Sequence, residues 1–221
     1  MTSAPSAPSV SAHDTANLRQ WWSGLPVYWK AAFNEAVLGK NAENTPTEAD
    51  LQKIHSTPAL RFAGPRAPYP NMRHELPNLS GIEGLKNVEI LVVTHHQISD
   101  LRGLEHLTRL KSLFLFNNNI GRLNGVEKLT RLEELYFQNN QITSLEPLRG
   151  LTGLKKIYCS NNQLASLEGI TTAHSKSLKE FLALARSRPG ELAYGSSGVG
   201  GSGHLATGLL QSMAKIKLLH V

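Results

Sequence analysis

The chain has 221 residues, 40% hydrophobic and 18% charged, which is globular composition with length enough for one domain and a sizeable core. The formal net charge is +6, yet residues 1–87, 88–177 and 178–221 carry +1, +2 and +3, so no basic stripe suited to a phosphate backbone runs through the middle. Cys159 is the single cysteine, which excludes an intrachain disulfide and a cysteine-based metal cluster and suits a reducing compartment.

The opening "MTSAPSAPSVSAHD" is rich in Ser, Ala and Pro and has no basic segment followed by an apolar one. It reads as a disordered N-terminus over residues 1–15 of a cytoplasmic protein, and no apolar run approaches the ~18–20 residues that span a bilayer. Residues 16–75 read as a helical N-terminal cap. Trp21, Trp22 and Trp29 all fall there, and Trp29, Ala32, Phe33, Ala36 and Val37 recur at helical spacing up to Gly39. "TPTEADLQKI" predicts a second helix, with Thr45 or Thr47 as N-cap and Glu48 and Asp50 in the first turn. "AGPRAPYPN" reads as a proline-rich connector.

From Val88 onward one pattern recurs every 22 residues, restarting at Leu110, Leu132 and Leu154. Its columns hold Leu91, Leu113, Leu135 and Ile157, then Val93, Leu115, Phe137 and Cys159, then Ile98, Ile120, Ile142 and Leu164. Alternation in the first two columns makes a short strand with one face inward. A polar column of His96, Asn118, Asn140 and Asn162 follows each strand. A buried bend needs its backbone N–H and C=O groups satisfied, so this column reads as a structural ladder that His96 imitates only in part. The remaining apolar columns pack a return segment too short for a full helix, which predicts extended or 3₁₀ pieces.

These residues spell L-x-x-L-x-L-x-x-N-x-I/L, which resembles the leucine-rich repeat, whose period lies in the range of ~20–29 residues. The match is to the short, 22-residue class found in internalins and in the regulatory subunit of type-one protein phosphatase, and covers residues 76–182. The leading segment is also similar to that of uncharacterised bacterial leucine-rich repeat proteins. The resemblance implies an α/β solenoid: a right-handed coil with a parallel sheet on its concave face. A solenoid's first rung would otherwise expose its core, which is the structural reason for a cap. The alternative is that the tryptophans dock a partner.

Beyond the fourth unit the pattern slips, resuming at Leu178 instead of residue 176. Residues 183–221 read as a Gly/Ser-rich flexible tail, with Leu205, Leu209, Met213, Ile216 and Leu219 forming an apolar helical face. Gly198, Gly200 and Gly203 satisfy G-x-G-x-x-G, but no strand leads into that glycine-saturated run, and nucleotide binding is not expected. His95 and His96 are adjacent and point apart, so they make no metal site. Cys159 replaces a core leucine and reads as a small buried hydrophobe. No catalytic residue, cofactor or metal is expected.

The outward strand positions remain. Val92, Phe114, Tyr136 and Tyr158 form a central column, flanked by Thr94, Phe116, Gln138 and Ser160 and by Ile90, Ser112, Glu134 and Lys156. A row of exposed aromatics is a residue type enriched at protein interfaces, though stacking between rungs would also place it there. Val92, Phe114, Phe116, Glu134, Tyr136, Gln138, Lys156 and Tyr158 are the candidate partner-binding residues. The function expected is that of a monomeric, non-catalytic protein-interaction module, with carbohydrate or nucleic-acid binding by the same aromatics as the alternative. Near-neutral repeats argue against nucleic acid.

Overall fold

The computed structural model describes residues 12–164 and a few later positions: 169, 193–194, 208, 210–212, 215, 217 and 219–220. The readings made for residues 1–11 and for most of 165–221 lie outside the described residues.

Three helices come first: α1 (Ala12–Gly24), α2 (Val27–Ala32) and α3 (Glu48–Ser56). α1 begins within the stretch expected to be disordered, so the helical region starts at Ala12 and not at residue 16. α2 runs on as a π-helix over Phe33–Leu38 and stops at Gly39, whose φ of 65° is left-handed. Fully buried Asn34 donates from Nδ2 to the carbonyls of Ala42 (2.8 Å) and Asn44 (2.7 Å), fixing the loop that follows. Thr47 caps α3 in a reciprocal box: its Oγ1 accepts from Asp50 N–H, and the Asp50 carboxylate accepts from Thr47 N–H.

Five parallel strands form one sheet in chain order: β1 (Ala59–Ala63), β2 (Ile90–Thr94), β3 (Ser112–Phe114), β4 (Glu134–Tyr136) and β5 (Lys156–Tyr158). Leu91, Leu113, Leu135 and Ile157 lie in register across β2–β5, as the 22-residue period demands. β1 is a finding. Leu60 and Phe62 pair with Leu91 and Val93, 31 positions on, so the break in period hid a further rung inside the region read as cap. The proline-rich connector doubles back along β1's free edge. There Asn71 accepts from Ala63 N–H (2.8 Å) and donates to the Arg61 carbonyl (2.8 Å), taking the place of a neighbouring strand.

Return segments contain single 3₁₀ turns at Leu104–His106, Val126–Lys128 and Glu146–Leu148. Each of the first two starts after a glycine at φ 100°, Gly103 and Gly125, whose N–H donates to the carboxylate two residues on: Glu105 at 2.7 Å and Glu127 at 2.6 Å. Gly81 and Glu83 repeat the bond at 2.7 Å. In the next unit Pro147 stands at the glycine position and has no N–H, and there the carboxylate is gone too. Arg149 replaces it and turns to Glu146 at 2.8 Å.

Strand and return leucines fill one continuous core from Leu60 to Leu154, which the helices close at its first rung. Phe62 of β1 meets Trp29 edge-on at 5.1 Å and Phe33 at 5.5 Å, and Trp21 covers Phe33 at 5.3 Å. Trp29 is fully buried and leaves no surface for a partner, while Trp21 and Trp22 pack against the same core. Late in the chain, Leu219 does not belong to a helical face: β7 (Leu219–His220) pairs parallel with β6 (Ala193–Tyr194).

Candidate functional site

Alternation sends one set of side chains on each strand into the core and the other set outward. Phe114, Tyr136 and Tyr158 are register partners on β3, β4 and β5, and their rings stack. Centroids lie 4.4 Å and 4.6 Å apart, with interplanar angles of 13° and 7°. Strand spacing explains this, because a parallel sheet repeats at ~4.8 Å and flat rings on successive strands must lie face to face. Each inner ring face is therefore covered by its neighbour. Tyr136 has both ring faces covered in this way, while Tyr158 at the end of the row is 49% exposed.

The flanking column is ionic. Lys156 Nζ lies 2.6 Å from Glu134, which also accepts from the Ser112 hydroxyl at 3.4 Å. The hydrogen bond with Lys156 lowers the Glu134 pKa, and the same partner raises that of Lys156. Both sit in solvent, so the pair orders side chains more than it stabilises the fold. On the other flank Phe116 meets the His95 ring edge-on at 5.7 Å, and Gln138 has a buried Oε1 without a hydrogen-bond partner. Val92 continues the central column toward the first rung as a half-buried aliphatic side chain. The candidate residues thus share one face of the sheet.

Two asparagine ladders run past the ends of the strands. In the inner one, Asn140 Nδ2 donates to the carbonyls of Leu115 (2.9 Å) and Phe137 (3.0 Å), and its Oδ1 accepts from Ile120 N–H (3.0 Å). Asn118 and Asn162 repeat all three bonds one rung away on either side. His96 supplies two of them: Nδ1 accepts from Leu76 N–H at 3.1 Å, and Nε2 donates to the Phe62 carbonyl at 3.2 Å. Burial lowers the pKa of this fully enclosed imidazole to about 4.

The outer ladder was not foreseen. Asn117, Asn139 and Asn161 have φ of 55–57°, a left-handed bend that asparagine tolerates. Asn161 Nδ2 donates to Asn139 Oδ1 (2.6 Å), Asn139 Nδ2 to Asn117 Oδ1 (2.6 Å), and Asn117 Nδ2 to His95 Nε2 (2.8 Å). The doubled letters His95-His96, Asn117-Asn118, Asn139-Asn140 and Asn161-Asn162 were the available signal.

Arg61 was also missed, because its strand was. Register places it in the central column one strand beyond Val92. The single thiol, Cys159, is packed against the core, and burial pushes its pKa up, away from nucleophilic use. Among the described residues no three His, Cys, Asp or Glu side chains are grouped to hold a metal, and no helix is long and apolar enough to cross a membrane.

The family model described as "Leucine Rich repeats (2 copies)" matches residues 108–150 and again 130–172. Among solved structures, an internalin (inlF) from Listeria monocytogenes is 27% identical over 46% of this chain and 31% of its own, with a TM-score of 0.44. The present chain thus spans about a third of that protein's length. Internalin C2 from the same organism is 21% identical, covering 67% of this chain and 83% of its own at a TM-score of 0.35. No curated protein matches the chain.

Proposed function

Given that the chain is a leucine-rich repeat protein, we propose that it is a non-catalytic interaction module that takes a protein partner on the outward face of its sheet. The observation that carries this reading is the stack of Phe114, Tyr136 and Tyr158. Rings held by their neighbours lose little side-chain freedom on binding, so their buried area converts to affinity with a small entropic offset. Large, rigid, amphipathic side chains at the centre of a face are the residues on which interface energy concentrates. Glu134 and Lys156 beside them tune specificity and on-rate more than affinity.

Carbohydrate or nucleic-acid binding through the same aromatics needs open ring faces on which sugars or bases stack. Here the inner faces are already occupied, which weighs against that alternative. Affinity capture with the wild-type chain and with Tyr136→Ala tests the proposal. The variant should lose at least ~2 kcal/mol of binding to whatever the wild type retains. Equal retention by both baits, or retention that collapses steeply with salt as counterion release requires, would count against a protein partner on this face.

A further inference from the structure

The charged side chains on the sheet face and along its margin are nearly all neutralised by one another. Glu134 pairs with Lys156, Glu133 with Lys155 at 2.7 Å, and Glu89 with both Lys111 and Arg109. Arg61 is the exception. It lies exposed on β1, in the same outward column as Val92, Phe114, Tyr136 and Tyr158, and among the described residues no carboxylate is within ion-pair reach of it. Its Nη2 donates to the backbone carbonyl of Tyr69, on the strap that lines the sheet's edge, so the guanidinium is held in place by a neutral group and keeps donors to spare. Tyr69 itself is 83% exposed. Burial first, and then the nearby Arg66 and Arg61, disfavour a proton on His95; Arg66 is itself paired with Glu75 at 2.7 Å, which leaves Arg61 as the uncompensated cation at this end of the face.

A pre-positioned guanidinium with no internal counter-ion matches a carboxylate, whose two oxygens fit its planar fork. We propose that Arg61 anchors an acidic side chain of an extended protein segment laid across the strands, with apolar side chains of that segment running over Val92 and the aromatic stack. The inference rests on the reading of this face as a protein-binding surface. Five strands put Arg61 and Tyr158 roughly 19 Å apart, a span that about six extended residues cover. The partner motif is therefore short: one Asp or Glu at one end and apolar residues along the remainder.

An immobilised array of hexapeptides gives the test. Each peptide carries Asp, Glu, Asn, Gln or Lys at one end, followed by Leu- and Phe-containing positions. The wild-type chain should bind acid-ended peptides at least tenfold more tightly than their amide counterparts. Arg61→Gln should abolish that preference, Arg61→Lys should keep part of it, and melting should stay unchanged because the side chain is exposed. Tyr136→Ala should weaken acid- and amide-ended peptides alike. Peptides retained through Tyr136 with no acid preference would overturn the role of Arg61 and leave the binding face standing. A chain that retains no peptide, or whose bound peptide is displaced by oligothymidylate, would overturn both.

Discussion

Two kinds of rung share one sheet. The regular rungs, β2 to β5, repeat every 22 residues, and β3 to β5 satisfy their bends with the same amide each time. The first rung, on β1, spans 31 positions to its neighbour, is tied to it by His96 of the β2 bend in place of an amide, and borrows Asn71 as a substitute for the missing strand. The difference teaches that the coil requires bonds, not letters. Where an imidazole or a side-chain amide delivers the same donor and acceptor, the repeat departs from its spelling without losing its geometry.

Gly64→Ala should break the irregular rung most severely. A Cβ there would overlap the His95 carbonyl and approach His96 Nδ1 to 2.9 Å, against atoms held in the first bend. A loss of about 3 kcal/mol or more in denaturant unfolding is expected. Gly121→Ala in a regular rung meets nothing within 4 Å and should be neutral or slightly stabilising. Equal losses at both sites would show that the close approach at Gly64 does not exist.

Asn140→Ala leaves Ile120 N–H without an acceptor and removes donors from the Leu115 and Phe137 carbonyls. A cost of about 1–3 kcal/mol is expected by chemical denaturation. His96 makes the first rung pH-sensitive where the others are not. Its folded pKa, about 4, lies below the ordinary 6.5, so the unfolded chain binds more protons on acidification. The associated stability is fully present above pH 6.5 and is lost as pH falls toward 4, by about 3 kcal/mol for this one group. His96→Asn should flatten that slope. Burial lowers His55 and His95 as well, so a smaller slope should persist. An unchanged profile in the variant would remove His96 from the account.

The stack gives an effect of similar size at its centre and the smallest effects at its ends. Tyr136 has a ring partner on either side, whereas Phe114 and Tyr158 have one stacking partner each among the described residues. Tyr136→Ala should lower stability by about 1–3 kcal/mol and either end by about half as much. Thermal melts of the three alanine variants check this order. The stability cost at the centre is larger than an outward-facing tyrosine alone suggests, because two stacking contacts are lost at once.

The core columns, the inner polar ladder and the aromatic row were legible because a fixed period aligns them without any three-dimensional knowledge. Leu91, Leu113 and Leu135 are equivalent in sequence and in register for the same reason. Arg61 was not legible: it belongs to a rung whose loop is nine residues longer than the repeat, and no alignment of 22-residue units reaches it. The outer asparagines were visible as letters but not as a ladder, since their role depends on a left-handed bend placing amides side by side. The aromatic column was visible, yet that its rings lie face to face and cover one another follows from interplanar angle, which no spacing encodes.

The outer ladder has a heading. Every amide in it gives its hydrogen toward the first rung, Asn117 and Asn139 each take one from the rung behind, and the sequence of gifts stops at a lone pair on His95 Nε2. Neither Asn117 nor Asn139 can turn over alone, because donor would then face donor at one joint and acceptor face acceptor at the other. The row behaves as one object with two orientations, and the imidazole at its head is obliged to keep its hydrogen on Nδ1. A tautomer, ordinarily a local choice, is here decided by amides three windings of the coil away.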